Sequence, residues 1–182
     1  MGPLWPLFAA EIKKSRTTHP VSYSNWRWHR DEVFMKINGE THYLWRAVDH
    51  EGEVLEPFVS KRRDCKSALP FLKQAIKQYG APRVIVTDRL RSYRAAMYQL
   101  GNVNRQVTGR WINNRAENSH LPFRRREQAM QRFRLTRSLQ KFTSIHSSVT
   151  NHFNQQRHLI SRYDFKSKRE VALIEWQLIC AA

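Results

Sequence analysis

Residues 26–49 hold two strand-like segments separated by the dipeptide Asn38–Gly39, and this arrangement constrains the fold more than any other feature of the sequence. The two segments, WRWHRDEVFMKI and THYLWRAVD, are rich in the aromatic and β-branched residues that favour strands. An Asn-Gly pair readily adopts the backbone angles of a two-residue hairpin turn. The sequence therefore predicts an antiparallel hairpin.

A further turn at HEGE and the segment VLEPFVS predict a third strand, with Pro57 at an edge or a bulge.

Helical and strand patterns alternate after the third predicted strand. Asp64 stands in an N-cap position, and apolar residues recur at helical spacing through CKSALPFLKQAIKQY until Gly80. The short apolar run RVIVT then has the composition of a buried parallel strand, and it ends at Asp88. Further helices are predicted at 89–100 and near 113–134, 137–156 and 166–180, with a short strand in VNRQVTG. The predicted fold class is α/β, a mixed sheet of three antiparallel strands followed by parallel strands, flanked by helices.

The length of 182 residues suits one compact domain. Residues 1–25 show no clear periodicity and are predicted to form an irregular lead-in with at most a short helix. Residues 26–135 contain the predicted sheet and form the core of the domain. Residues 136–182 are predicted to form a helical C-terminal extension that packs on this core.

The charge of the chain indicates a polyanionic partner. Its 32 Lys and Arg residues against 15 Asp and Glu residues give a net charge of +17, which makes nucleic acid the leading partner. Arginines and polar residues interrupt the apolar stretches, which argues against a basic membrane-surface helix. No stretch approaches the ~20 apolar residues of a membrane span.

Two cysteines far apart in the sequence predict no disulfide framework and fit a reducing cytosol.

Two isolated acidic residues stand out in this basic chain. Between Cys65 and Asn118, only Asp88 and Glu117 are acidic. Asp88 follows the predicted parallel strand, at the end where open α/β sheets collect their functional groups. Asp31 lies in the first strand and Glu117 on a later helix, so the three carboxylates could converge on one edge of the sheet.

Three carboxylates of this kind would suit Mg²⁺ or Mn²⁺, and two such ions could clamp the oxygens of a phosphoryl transfer. Other interpretations stay open from spacing alone. An Asp after a strand is often a helix cap, and a Glu in an arginine-rich helix is often an ion-pair partner one turn away. Asp49 and Asp64 are competing acids, and Glu32 is interpreted as a surface group or as one that supports a ligand from behind.

A series of longer motifs extends through residues 26–180. They are WHRDEVFMKING, HYLWRAVDHEGEVL, SKRRD, VIVTDRLRSY, NNRAENSHLPFRRREQAMQRF, LQKF and TNHFNQQRHLISR. Together these motifs resemble the catalytic domain of DDE transposases of the insertion-sequence-six family. The resemblance implies a ribonuclease-H-like fold whose three acids bind two Mg²⁺ or Mn²⁺ ions. By motif position these acids are Asp31 in HRDE, Asp88 in VTDRL and Glu117 in RAENSH.

The same resemblance implies a DNA transposase. Water would cut at the 3′ end of an insertion sequence, and the freed 3′-hydroxyl would then attack target DNA. It further implies a homodimer or higher multimer, bound to DNA at the nucleoid in a bacterial cytoplasm. The arginines expected to contact DNA phosphates are Arg89, Arg91, Arg115, Arg124 and Arg125.

Three departures from the family lead to an alternative. Full-length members carry an N-terminal helix-turn-helix segment, and residues 1–25 are expected to be too short and irregular to supply it. Arg30 stands where the family usually has an apolar residue, and Asn104 in VNRQ stands where it often has histidine. The alternative is a catalytically inactive, truncated transposase remnant that binds DNA or dimerises. A general ribonuclease-H-type nuclease is a third possibility.

Overall fold

A computed structural model describes residues 4–18, 27–50, 52–55, 57–88, 90–108, 123–127, 133–153 and 161–181. These segments form a five-stranded mixed sheet with helices packed on both of its faces. Within the described segments, no helix combines the length and the apolar character needed to cross a membrane.

The predicted hairpin is confirmed. Strand β1, Arg27–Ile37, pairs in antiparallel register with strand β2, Glu40–Val48. Between them Asn38 has a φ of 50° and Gly39 a φ of 83°. These positive angles are those of a two-residue turn that matches the twist of the flanking strands.

The third strand is shorter than the sequence predicts. Strand β3, Phe58–Ser60, pairs antiparallel with β2 at one edge of the sheet. Pro57 directly precedes it, and because proline has no backbone N–H it cannot donate to the strand ladder. Val54, which the prediction included in this strand, forms only an isolated bridge to Val48.

The parallel half of the sheet follows the predicted order. It consists of helix α2, Cys65–Tyr79, strand β4, Val84–Thr87, helix α3, Arg91–Gln99, and strand β5, Gln106–Thr108. Strand β4 pairs in parallel with β1, and β5 pairs in parallel with β4. The order across the sheet is β3-β2-β1-β4-β5. The predicted α/β class, with three antiparallel strands followed by parallel strands, is therefore confirmed.

Helix α2 begins and ends at its predicted signals. The Oδ1 atom of Asp64 accepts a hydrogen bond from the backbone N–H of Ser67 at 2.9 Å. The hydroxyl and backbone N–H of Ser67 hold the pKa of the Asp64 carboxyl below its usual value, because both stabilise the ionised form. Gly80 ends the helix with a φ of 81°, an angle that glycine adopts without steric cost.

Side-chain alternation along the strands divides the interior into two clusters, one on each face of the sheet. On one face the strands pack against α2 and α3 through Trp28, Trp45, Ala47, Ile85, Phe71, Leu72, Tyr93 and Met97. On the other face they pack through Val33, Met35, Ile37, Leu44, Val59, Phe123, Leu139 and Phe142. Helices on both faces fix the sheet, and with it the carboxyl end of β4.

Two C-terminal helices complete the described structure. They are helix α4, Thr136–Phe153, and helix α5, Arg162–Ala181, close to the predicted segments 137–156 and 166–180. The side chain of Asn151 on α4 bonds both the N–H and the C=O of Val54, at 2.9 and 2.7 Å. Of the predicted helix 113–134, residues 123–127 are helical, and most of the rest lies outside the described residues.

Residues 4–18 form a longer helix than the short one that the prediction allowed within an irregular lead-in. Helix α1, Leu4–Thr18, is 15 residues long and packs against α4 and α5. Phe8 and Ile12 are buried, and the ring of Phe8 lies 5.1 Å from that of Trp176 on α5. A helix this short gains most of its stability from tertiary packing, so the local sequence did not reveal it.

His146 on α4 makes the stability of the fold sensitive to acid. Its ring packs against Phe123 and Phe142, and burial, reinforced by Arg46 and Arg126, lowers its pKa from 6.5 to about 4. Between these values the unfolded chain binds more protons than the folded chain, so stability falls as the pH drops from 6.5 to 4. The side chain is partly exposed, so we expect this loss to be on the order of 2 kcal/mol.

A His146→Phe variant tests this expectation, because it keeps a ring at the site and removes the titrating group. Urea unfolding at pH 7 and pH 4.5 should show a smaller loss of stability in the variant than in the unmodified chain. Equal losses in the two proteins would show that His146 is not responsible.

Candidate active site

The register of the parallel strands puts Asp31 level with Asp88. The last pair between β1 and β4 is His29 with Val86. Two residues further along each strand lead to Asp31 in β1 and to Asp88, which directly follows the end of β4 at Thr87. Since β1 continues beyond this point, the same register extended by two residues brings the backbones of these two predicted ligands level at the carboxyl end of β4. Open α/β sheets place their functional groups at this end.

The carboxylate of Asp88 is held on both oxygens. Its Oδ1 atom accepts a hydrogen bond from the backbone N–H of Leu90 at 3.1 Å, which shapes the turn between β4 and α3. Its Oδ2 atom lies 3.2 Å from Nη2 of Arg63. The side chain is 35% exposed, so one side of the carboxylate faces solvent and is accessible to a ligand.

A second carboxylate, that of Glu32, shares the same arginine. The Nε and Nη2 atoms of Arg63 both contact Oε1 of Glu32. The Glu32 side chain has no exposed surface. Of the two interpretations made from the sequence, that of a surface group is therefore wrong. Glu32 supports Asp88 from behind through Arg63. No local pattern could have predicted this link, because 31 residues separate Glu32 from Arg63.

Basic and polar side chains border Asp88 on its solvent side. A cavity of about 500 Å³ opens there between α3 and β5. Its polar lining comes from Asp88, Arg91, Arg94, Gln106 and Thr108. Arg91 was predicted to contact DNA, whereas Arg94, one helical turn further along α3, was not singled out from the sequence. Both arginines are exposed.

Other predicted site residues lie outside the described residues. They are Glu117, Arg89 and Arg115, together with the side chain of Asp31. Among the side chains that the structure describes, no group of three His, Cys, Asp or Glu residues could hold a metal ion. The three-carboxylate site and these two DNA contacts therefore stay predictions.

The two remaining arginines differ in their surroundings. Arg124 donates from Nη2 to the backbone carbonyl of Phe34 at 2.9 Å and from Nη1 to Glu127 at 2.8 Å. These two hydrogen bonds hold the helical residues 123–127 against β1. Arg125 is exposed. Both stay predictions as DNA contacts, and the geometry favours Arg125 over Arg124.

The competing acids have structural roles. Asp64 is the N-cap of α2. Asp49 is buried after β2, and its Oδ1 atom accepts a hydrogen bond from the backbone N–H of Glu53 at 2.9 Å, which closes the turn before β3. Neither carboxylate lies at the carboxyl end of β4, so Asp88 is the described acid best placed for chemistry.

Comparison with known proteins identifies relatives of this architecture. A family model described as a DDE domain matches residues 25–156. The transposase for the insertion sequence-like element IS431mec of Staphylococcus aureus is 29% identical over 161 residues, covering 86% of this chain and 70% of that protein. The transposase for insertion sequence element IS257 in transposon Tn4003, from the same species, is similar to the same extent.

Solved structures show the same fold. The catalytic core domain of HTLV-2 integrase, in complex with magnesium and in a trimeric form, superposes with a TM-score of 0.52 at 15% sequence identity. The match covers 78% of this chain and 95% of the integrase core. The ribonuclease-H-like fold that the motifs implied is thereby confirmed.

Proposed function

This chain belongs to the DDE-domain family of insertion-sequence transposases, which are polynucleotidyl transferases, and on this premise we propose that Asp31, Asp88 and Glu117 form its cation-binding site. The observation that carries the proposal is the register that brings Asp31 level with Asp88 at the open end of β4. Glu117 enters by its position in the RAENSH motif.

The donor chemistry of this site fits Mg²⁺ or Mn²⁺. Both ions prefer carboxylate oxygens and keep coordination positions for water and phosphate. A pair of them would supply Lewis acidity to the attacking and leaving oxygens of a phosphoryl transfer. Asp88 has an exposed side for such a ligand, and the integrase core with the same fold was solved in complex with magnesium.

The proposed substrate is DNA at the ends of an insertion sequence. In the first step water hydrolyses a phosphodiester bond and leaves a 3′-hydroxyl on the element. In the second step this hydroxyl attacks a phosphodiester of the target, forming one new bond and releasing a 3′-hydroxyl of the target strand. Neither step needs a covalent bond to the protein, so the carboxylates act as ligands and no nucleophilic side chain is required.

The chain's own basic residues would hold the DNA backbone beside the carboxylates. Arg91 and Arg94 line the cavity next to Asp88, where their guanidinium groups can bind phosphate oxygens. The net charge of +17 would attract DNA over longer distances. We further propose that the protein acts as a dimer or higher multimer on DNA in the bacterial cytoplasm.

An assay with labelled DNA tests the proposed function. The purified chain is incubated with supercoiled plasmid and with a pre-cut oligonucleotide carrying the element's 3′ end, in the presence of Mn²⁺ or Mg²⁺ and in EDTA. We expect metal-dependent nicking and joining of the oligonucleotide to plasmid. Binding without cutting would favour the inactive remnant, and cleavage of RNA–DNA hybrids without joining would favour a general nuclease.

The salt dependence of DNA binding tests the two arginines beside the cavity. Each phosphate that a protein neutralises adds about −0.9 to the slope of log K against log salt concentration. For the double variant Arg91→Gln, Arg94→Gln we expect a slope less steep by about 1.8, measured by fluorescence anisotropy. The matched control replaces Lys73 and Lys77, which are exposed on α2. Equal slopes in the two double variants would place the DNA elsewhere.

A further inference from the structure

Arg63 joins two carboxylates whose surroundings differ. The side chain of Glu32 has no exposed surface, whereas that of Asp88 is 35% exposed. The Nε and Nη2 atoms of Arg63 contact Oε1 of Glu32, and Nη2 also lies 3.2 Å from Oδ2 of Asp88. The arginine therefore links a buried, fixed anion to the accessible anion at the carboxyl end of β4.

The position of Arg63 is fixed by more than its charge. Its guanidinium carbon lies 5.4 Å from the centre of the Phe34 ring, a distance at which a cation is attracted to an aromatic face. Its backbone directly precedes Asp64, the N-cap of α2. A planar guanidinium presents donors in a rigid fork, so an arginine held at these points has little freedom to turn away from Asp88.

The charges of the group suit a residue that supports a cation ligand. A lone arginine beside Asp88 would repel a divalent cation, but Glu32 and Arg63 together carry no net charge. Their pair can thus give Asp88 a directional hydrogen bond without adding positive charge at the site. Hydrogen bonds of this kind orient metal-ligating carboxylates in proteins.

We propose that Arg63, held by Glu32 and Phe34, is a positioning residue that sets the orientation of the Asp88 carboxylate for divalent-cation binding. The inference rests on the proposed function, since it takes Asp88 to be a cation ligand. It adds two residues, Arg63 and Glu32, to the three acids of the motifs. Removal of such a supporting partner lowers metal affinity by about 10–100-fold in other proteins.

Mn²⁺ binding to the full chain tests the inference without any measurement of activity. Isothermal titration calorimetry with MnCl₂ is performed on the unmodified chain, on Arg63→Gln and on Arg62→Gln, with the melting temperature of each recorded. Arg62 is the matched control, because it is the adjacent residue, carries the same charge and is exposed. We expect the Kd for Mn²⁺ to rise about 10–100-fold in Arg63→Gln and to stay close to that of the unmodified chain in Arg62→Gln.

Arg63→Gln leaves Glu32 buried without its arginine. Arg63→Lys is therefore included as a second variant, for the case that Arg63→Gln does not fold. Lysine keeps the charge beside Glu32 but cannot present the fork that reaches both carboxylates, so we expect weakened Mn²⁺ binding with a cooperative thermal transition. If Arg63→Gln does not melt cooperatively, Arg63→Lys decides. Affinity equal to or tighter than that of the unmodified chain, in the deciding variant, overturns the inference.

The same titration on Asp88→Asn separates this inference from the proposed function. If Asp88→Asn loses Mn²⁺ binding and the Arg63 variants keep it, only the role of Arg63 is rejected. If the unmodified chain binds no Mn²⁺, or Asp88→Asn binds it normally, Asp88 is not the ligand and both proposals fail.

Discussion

Asp88→Asn should abolish strand cleavage and strand transfer while the chain still folds and binds DNA. The substitution keeps the size of the side chain, and the amide oxygen can still accept the hydrogen bond from Leu90 that shapes the β4–α3 turn. It removes the charge that we assign to cation binding. Lewis-acid stabilisation by a metal is worth several kcal/mol in the transition state, so we expect a loss of roughly 10³-fold or more.

The measurement is the Mn²⁺-dependent joining of a labelled 3′ end to plasmid, alongside DNA affinity by fluorescence anisotropy. Asp64→Asn is the matched control, because it removes the same charge from a nearby residue and asparagine is as good an N-cap as aspartate. Affinity for DNA should be equal or higher in Asp88→Asn, since one negative charge is lost near the phosphates. Retained joining by Asp88→Asn would falsify its assignment as a ligand.

The parts of the fold that the sequence predicted depend on local signals. Asn38 and Gly39 specify a turn that closes the hairpin without help from distant residues. The signals at the two ends of α2, Asp64 and Gly80, act within one helical turn. The parallel strand β4 follows from a short apolar run, whereas its pairing with β1 is seen only in the folded chain. These elements together put Asp31 beside Asp88.

The parts that the sequence did not predict depend on distant contacts. Helix α1 is stabilised by Phe8 against Trp176, a pair separated by most of the chain. Arg63 is one arginine among many in the sequence, and only the folded chain shows that it lies between Glu32 and Asp88. A charged residue acquires such a role from its neighbours in space, which spacing along one segment does not give.

Arg30, which stands where the resemblance to the family implies an apolar residue, lies inside the core. It is fully buried between the sheet and α2, with its guanidinium carbon 5.1 Å from the Trp28 ring and 4.9 Å from the Phe71 ring. Burial lowers the pKa of Arg30 to about 9, opposed in part by Tyr93. The aromatic rings offset part of the cost of removing the charge from water, and we expect an apolar side chain to avoid the rest of it.

Arg30→Met should therefore stabilise the chain at pH 7, by about 1–4 kcal/mol if the effect matches that of replacing buried ion pairs with apolar residues of similar volume. The gain should depend on pH. Below pH 9 Arg30 is charged in both the folded and the unfolded chain. Above pH 9 the unfolded chain binds more protons than the folded chain, so the unmodified chain becomes more stable as the pH rises. The advantage of Arg30→Met should thus shrink by about 1 kcal/mol at pH 10.

Urea unfolding at pH 7 and pH 10 measures both effects. Arg27→Met is the matched control, because Arg27 lies on the same strand and is exposed, so its replacement should change the free energy of unfolding by less than about 0.5 kcal/mol. A loss of stability in Arg30→Met would mean that the arginine is a structural element of the core. A gain that shrinks at pH 10 would identify the buried charge itself as the cost.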